Sequence, residues 1–283
     1  MKKNFLLALI VFILLLLVSC GVDREQTSNN KERILINETG FETGVDESAF
    51  TMNSWKSEGF NLTWVQGFDV GRAHIDTEYA HTGNNSLRID YPADAEQASF
   101  DSGAQAPLTF NPKEEVYVSY WLRFSDNFQW GRIYEGGKLP GLASGDLCSG
   151  GAICDGTNGF TARLMWREGG SVVLYLYHMD NPDPSVGEDF NLVTGDGQVY
   201  FERGRWYNVV QRVKINTGNN NNGQVQIWID GKEALMLNNI RFVNDGSLVD
   251  TFYFSTFHGG WGIEWGPIED VYIWFDDIKI YYF

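Results

Sequence analysis

The chain runs to 283 residues with 37 acidic against 21 basic side chains, a formal net charge of -16 that repels phosphate. With no basic patch interleaved with aromatics, nucleic acid is excluded as a partner. Three cysteines without a second pair, and no histidine at finger-like spacing, exclude a structural zinc site and leave no metal to expect.

The first element reads as an export signal rather than structure. Lys2 and Lys3 precede an apolar run, Phe5 to Val18, too short for a comfortable membrane span, and Leu17-Val18-Ser19-Cys20 closes it. Those last residues resemble the bacterial lipobox. The resemblance implies cleavage before Cys20, lipidation of its thiol, and a bacterial lipoprotein anchored in the outer membrane on its periplasmic or cell-surface face. The alternative is an ordinary cleaved signal with an incidental cysteine. Residues 21–33 are polar without apolar periodicity and read as a flexible tether. Residues 34–283 then form one domain, since no linker divides them.

Short alternating segments follow: Ser86 to Tyr91, Val116 to Phe124, Tyr207 to Ile215, Gln224 to Asp230, Thr251 to Phe257 and Val271 to Tyr282. Gly, Asn and Asp clusters separate them, among them the loop Asn219 to Gly223. Many strands without helical period predict an all-β, two-sheet jelly-roll sandwich with a concave substrate groove. In the second segment Val116, Val118, Tyr120, Leu122 and Phe124 share one face, and Arg123 lies on the other, as a groove residue or a solvated surface arginine.

Gly136-Gly137-Lys138-Leu139-Pro140-Gly141 reads as a loop carrying Lys138. With Cys20 lipidated, Cys148 and Cys154 are the cysteines left, in a compartment that permits disulfides, and they are expected to bond. So short a ring contributes about 2 kcal/mol in the chain-entropy model. A hairpin follows. Phe160, Ala162, Leu164 and Trp166 share a face, as do Val172, Leu174 and Leu176 across the loop Glu168-Gly169-Gly170. Matching the two apolar faces fixes the register and sets Arg163 opposite Tyr175 and Thr161 opposite Tyr177. One lysine, one arginine and two tyrosines are thereby gathered where an acidic sugar could lie, with His178 turned to the core side.

Other chemistries lack their residues. A retaining glycosidase needs paired carboxylates flanking the bond, and no Glu-x-Asp-x-x-Glu run occurs. A serine hydrolase needs a nucleophile elbow with His and acid partners, and His74, His81, His178 and His258 bring none. In the C-terminal stretch His258 either touches ligand or bonds backbone, and Trp261 and Trp265 either stack on sugar or pack the loop. Asp276 and Asp277, adjacent on a strand, are expected on opposite faces and so unable to chelate calcium together.

Residues 136–141, Arg163-Leu-Met-Trp-Arg167, Tyr175-Leu-Tyr177, Gly204-Arg-Trp-Tyr207 with Gln211-Arg-Val-Lys214, and Phe254-Ser-Thr-Phe-His-Gly-Gly260 together resemble polysaccharide lyase family 14. The resemblance spans roughly residues 110–283. It implies a β-jelly roll and β-elimination of uronic-acid polymers, most characteristically alginate, with glucuronan as the neighbouring substrate. Its catalytic positions match Lys138, Arg163, Tyr175 and Tyr177, while Thr161 stands where a cleft serine is expected, and the loop Ala143 to Asp146 departs from the usual glycine-rich continuation. The chemistry suits these residue types. Cations stabilise charge on the C6 carboxylate without a metal or cofactor, and either a tyrosine made acidic by the nearby guanidinium and ammonium, or Lys138, takes the C5 proton. Arg123, Thr161, His258 and Trp261 are the candidate substrate contacts, and the chain is expected to act as a monomer. A noncatalytic carbohydrate-binding lipoprotein and a purely structural surface protein are the alternatives from other classes.

Overall fold

The computed structural model describes residues 32–93 and 95–283, so the export signal, Cys20 and the tether up to residue 31 lie outside the described residues. Its strands in chain order are β1 Ile34–Thr39, β2 Ala73–Asp76, β3 Ser86–Tyr91, β4 Ala104–Lys113, β5 Glu115–Phe124, β6 Gly137–Ser144, β7 Phe160–Trp166 and β8 Val172–Tyr177. They continue as β9 Glu188–Asn191, β10 Val193–Thr194, β11 Gly197–Gln198, β12 Trp206–Lys214, β13 Gly223–Ile229, β14 Lys232–Ile240, β15 Val249–His258 and β16 Val271–Tyr282. Two short helices, α1 Met52–Ser57 and α2 Ala98–Asp101, interrupt them.

Two antiparallel sheets carry the fold, in the order β14-β13-β12-β5-β16-β3-β2, with β1 on β16, and β4-β15-β6-β7-β8-β9. The jelly-roll expectation holds. Alternation decides which side of each strand meets the core. Val116, Val118, Tyr120, Leu122 and Phe124 are fully buried, and from the facing sheet so are Leu139, Leu142, Ala162, Leu164, Trp166, Leu174 and Leu176. The hairpin β7–β8 has the register that its apolar faces require, Arg163 against Tyr175 and Thr161 against Tyr177, and Glu168–Gly170 forms its turn.

Gly137 to Gly141 is a strand, not a loop. β6 lies centrally between β15 and β7, and its Pro140 is tolerated because the β6–β7 register shifts between Leu139 and Gly141. Its glycines answer to crowding: a Cβ on Gly137 would collide with the Trp166 ring, and one on Gly141 with the Ala162 carbonyl. β4 also escaped the alternation pattern, since Pro107 and Pro112 interrupt it, and it occupies the sheet edge where proline costs no ladder bond.

Asp276 and Asp277 depart from strict alternation. A register shift between Asp276 and Lys279, with Asp277 at φ 49°, turns both carboxylates onto the segment at His81 and Thr82. Asp276 accepts from both backbone N–H groups at 2.8 and 3.1 Å, and Asp277 accepts from Thr82 Oγ1 at 2.8 Å and contacts His81 Nδ1 at 2.7 Å.

Candidate active site

On the face of the six-stranded sheet turned away from the core, β6, β7, β8 and β15 present Lys138, Arg163, Met165, Tyr175, Tyr177, Tyr253 and Phe257 to one cavity of about 860 Å³. That size suits a ligand of several rings. Residues Phe100, Trp261 and Trp265 wall one side, and Gly150, Gly151, Val186 and Gly187 the other. Lys138, Arg163 and Arg167 are the cations of the lining and Asp189 its carboxylate. Local positive charge is thus concentrated inside a strongly acidic chain.

Lys138 is almost buried, and its Nζ lies 4.3 Å from the centre of the Tyr175 ring. Burial first, then the neighbouring Arg163 and Arg167 charges, hold its pKa well below that of a free lysine. Arg163 Nη1 donates to Ser255 Oγ at 3.1 Å, and its guanidinium lies 5.2 Å from the Tyr253 ring centre. Gln105 Oε1 accepts from Tyr253 Oη at 2.6 Å and from Ser255 Oγ at 3.2 Å, which ties β4 to the arginine through β15. Arg167 forms a two-bond pair with Asp189 at 2.8 and 3.0 Å, and its guanidinium lies 5.3 Å from the centre of the same Tyr175 ring.

The hydroxyls of Tyr175 and Tyr177 are 3.4 Å apart, and Tyr177 Oη accepts from Gly151 N at 3.3 Å. Neighbouring cations were expected to make a phenolate here. Burial wins instead, reinforced by the bond to Tyr177, and pushes Tyr175 up to about 12. On this balance Tyr175 holds its proton more tightly than a free tyrosine does. The disulfide Cys148–Cys154 is formed, and it closes the loop whose Gly151 reaches Tyr177.

Three expected substrate contacts fall elsewhere. Arg123 lies on the eight-stranded sheet, 4.4 Å from the Tyr79 ring centre and paired with Asp126, because β5 belongs to the opposite layer. Thr161 is on the cavity-side face but fully buried under the disulfide loop, donating to the Cys148 carbonyl at 3.1 Å. His258 ends β15 in the core, fully buried beside Phe128, Tyr91 and Trp166, with Nε2 2.7 Å from the Gln129 carbonyl. Trp261 does line the cavity and is largely exposed, and Trp265 lines it too. Sequence reasoning missed Tyr253, Ser255 and Gln105. The first two were accessible from the period-2 alternation of β15, whereas Gln105 sits in the proline-interrupted β4 and gave no signal. Among the described residues no group of three or more His, Cys, Asp or Glu side chains is placed to hold a metal ion.

The core position of His258 predicts a pH effect on stability. Burial lowers its pKa to about 4, whereas an unfolded histidine protonates near about 6.5. Between those values the unfolded chain binds the extra proton, so the contribution is full above about 6.5 and is lost as pH falls toward about 4. Asp276, lifted by burial to about 6, acts in the opposite sense in wild type and variant alike. Chemical denaturation at pH 7 and pH 4 should therefore show wild type losing about 3 kcal/mol more than His258→Gln. Equal losses would contradict a neutral, buried imidazole.

Residues 79–278 match the family model of polysaccharide lyase 14. Comparison with curated proteins gives no match. Among solved structures the chain is similar to the alginate lyase Aly36B, at 27% identity and a TM-score of 0.71, covering 88% of this chain and 96% of that one. A mutant of Aly36B in complex with alginate tetrasaccharide aligns at 25% identity and a TM-score of 0.70, covering 88% and 96%. The marine PL-14 alginate lyase from Aplysia kurodai shares the fold at 23% identity and a TM-score of 0.70, covering 87% and 98%.

Proposed function

Because the chain belongs to the polysaccharide lyase 14 family, we propose that it cleaves alginate by β-elimination, with Lys138 as base and the Tyr175–Tyr177 pair as acid. The observation that carries this reading is geometric: one cavity holds the Lys138 amine 4.3 Å from the Tyr175 ring centre and the Tyr175 and Tyr177 hydroxyls 3.4 Å apart, with burial lowering the lysine pKa and raising that of Tyr175. The Lys138 amine takes the proton from C5 of a uronate. Arg163 and Arg167 stabilise the charge that builds on the C6 carboxylate, a term realised most strongly in the transition state. As the C4–O4 bond breaks and the C4–C5 double bond forms, the phenol pair gives a proton to O4. One hydroxyl can donate to the other and leave one O–H for the ligand. No metal enters this scheme, so a chelator should leave the rate unchanged, a result read from the same assay with and without it.

Alginate as substrate is supported by the 27% identity to Aly36B over most of both chains. The lipobox-like end of the apolar run supports a lipid anchor on Cys20. Incubation with polymannuronate, polyguluronate and glucuronan, read as ultraviolet absorbance of unsaturated ends, tests the reaction and orders the substrates. Tight binding without new absorbance on any of the three would replace the lyase reading by a noncatalytic carbohydrate-binding one.

A further inference from the structure

Residues 50–68 lie ahead of the segment that matches the family model, and they fold onto the open edge of the cavity sheet. Thr51 caps α1, its Oγ1 accepting from Ser54 N at 3.3 Å while Ser54 Oγ accepts from Thr51 N at 2.9 Å. The helix thereby delivers Trp55 to the core. Phe50, Phe60, Leu62 and Phe68 are buried with it. Met52 and Val65 are partly buried, whereas Trp64 is exposed, at 39%.

Its placement is held from both sides. Asn61 pairs with Thr109 and Gln66 with Gln105, so the segment lies along β4 and continues the sheet by one irregular strand. Gln66 exchanges backbone bonds with Gln105 at 2.8 and 2.9 Å, and its Oε1 accepts from Gln105 Nε2 at 2.8 Å. Gln66 Nε2 also donates to the Phe100 carbonyl at 3.1 Å, which fixes the segment to the cavity wall. Between these anchors the Trp64 ring stands edge-on to Tyr253, centroids 6.2 Å apart at 75°. Tyr253 is the cavity residue next to Arg163.

We propose that Trp64 is a sugar-stacking subsite that extends the polymer track past Tyr253, over β4, for a uronate unit beyond those held in the cavity. This rests on the lyase reading above. A polymer crossing the strands from Tyr175 past Arg163, Lys138 and Tyr253 next meets Gln105 and then this ring. The C–H face of a pyranose packs on an indole without using its carboxylate, so the platform needs no cation of its own. An exposed indole at a cavity exit, on a segment bonded to that cavity's wall and floor, is what length preference for a polymer requires.

The test uses the whole chain and two probes, alginate polymer and alginate trisaccharide. In Trp64→Ala the ratio of kcat/KM on polymer to that on trisaccharide should fall about 10-fold, about 1.4 kcal/mol. Trp64→Phe should recover most of the ratio. An unchanged ratio overturns the proposal, as does an equal loss on both probes with a lowered Tm, which would mark Trp64 as packing. A calorimetric arm in a Lys138→Ala background measures polymer affinity without turnover, and there Trp64→Ala should weaken binding by a similar factor. Should wild type release no unsaturated ends, the lyase reading fails, and the calorimetric arm still decides Trp64: unchanged affinity rejects it.

Discussion

Replacing Lys138 by Met should lower kcat by about 10³-fold, within the range of a lost general base, while the melting temperature holds or rises. The side chain of Met is long enough to fill the space near the Tyr175 ring that the Lys138 amine now occupies. Lys138 Nζ has no hydrogen-bond or ion-pair partner among the described residues, so its removal orphans nothing and relieves a desolvated amine. The wild-type pH profile carries the same signature. A base works only when neutral, so kcat/KM should climb as pH rises through the Lys138 pKa, which lies well below the free-lysine value. The acid works only when protonated, and Tyr175 keeps its proton up to about 12, so no descending limb from the phenol appears at ordinary pH. Near wild-type turnover in Lys138→Met, or a profile that falls where it should climb, would exclude lysine as the base.

The double variant Tyr175→Phe, Tyr177→Phe should lose about 10²- to 10⁴-fold in turnover through the missing proton for O4. Both rings remain, at 5.3 Å and perpendicular, so the cavity wall keeps its shape. The two single variants read which hydroxyl faces the ligand. Because the hydroxyls touch, one can stand in for the other, and the singles should together fall short of the double loss. A substrate with a better leaving group than a sugar alkoxide needs less help from an acid and should recover rate in the double variant. Turnover near wild type in the double variant would remove the phenols from the reaction, and failure of the activated substrate to recover rate would assign them to binding.

The register of the β7–β8 hairpin was legible because its apolar positions alternate without interruption and leave one pairing that buries both sets. Arg163, Tyr175 and Tyr177 came to one face by that argument alone. Lys138 was legible as a residue but not as part of a strand, since Gly137, Pro140 and Gly141 carry turn chemistry that only the crowding by Trp166 and Ala162 explains. His258 and Arg123 fail for a common reason. A polar side chain on an alternating strand points to one of two faces, and whether that face meets ligand, core or the other layer depends on strand order, which periodicity does not contain. The expected phenolate failed on magnitude. Cation proximity was right in direction, with Arg167 lowering the Tyr175 pKa, but the burial that brings those groups together acts more strongly the other way.

Arg163 and Arg167, gathered in a hollow of a chain with net charge -16, divide the approach of a polyanion into two regimes. At long range the acidic exterior repels it, and that repulsion extends only as far as the ions of the medium allow, about 30 Å in dilute buffer and about 8 Å at physiological ionic strength. At short range, on the lyase reading, a ligand carboxylate would meet the buried Arg163, where little solvent intervenes and added salt weakens the contact far less. Ionic strength therefore opens the route to the cleft without closing the cleft itself, and a dilute medium would hold enzyme and polymer apart by the charge of everything except the site.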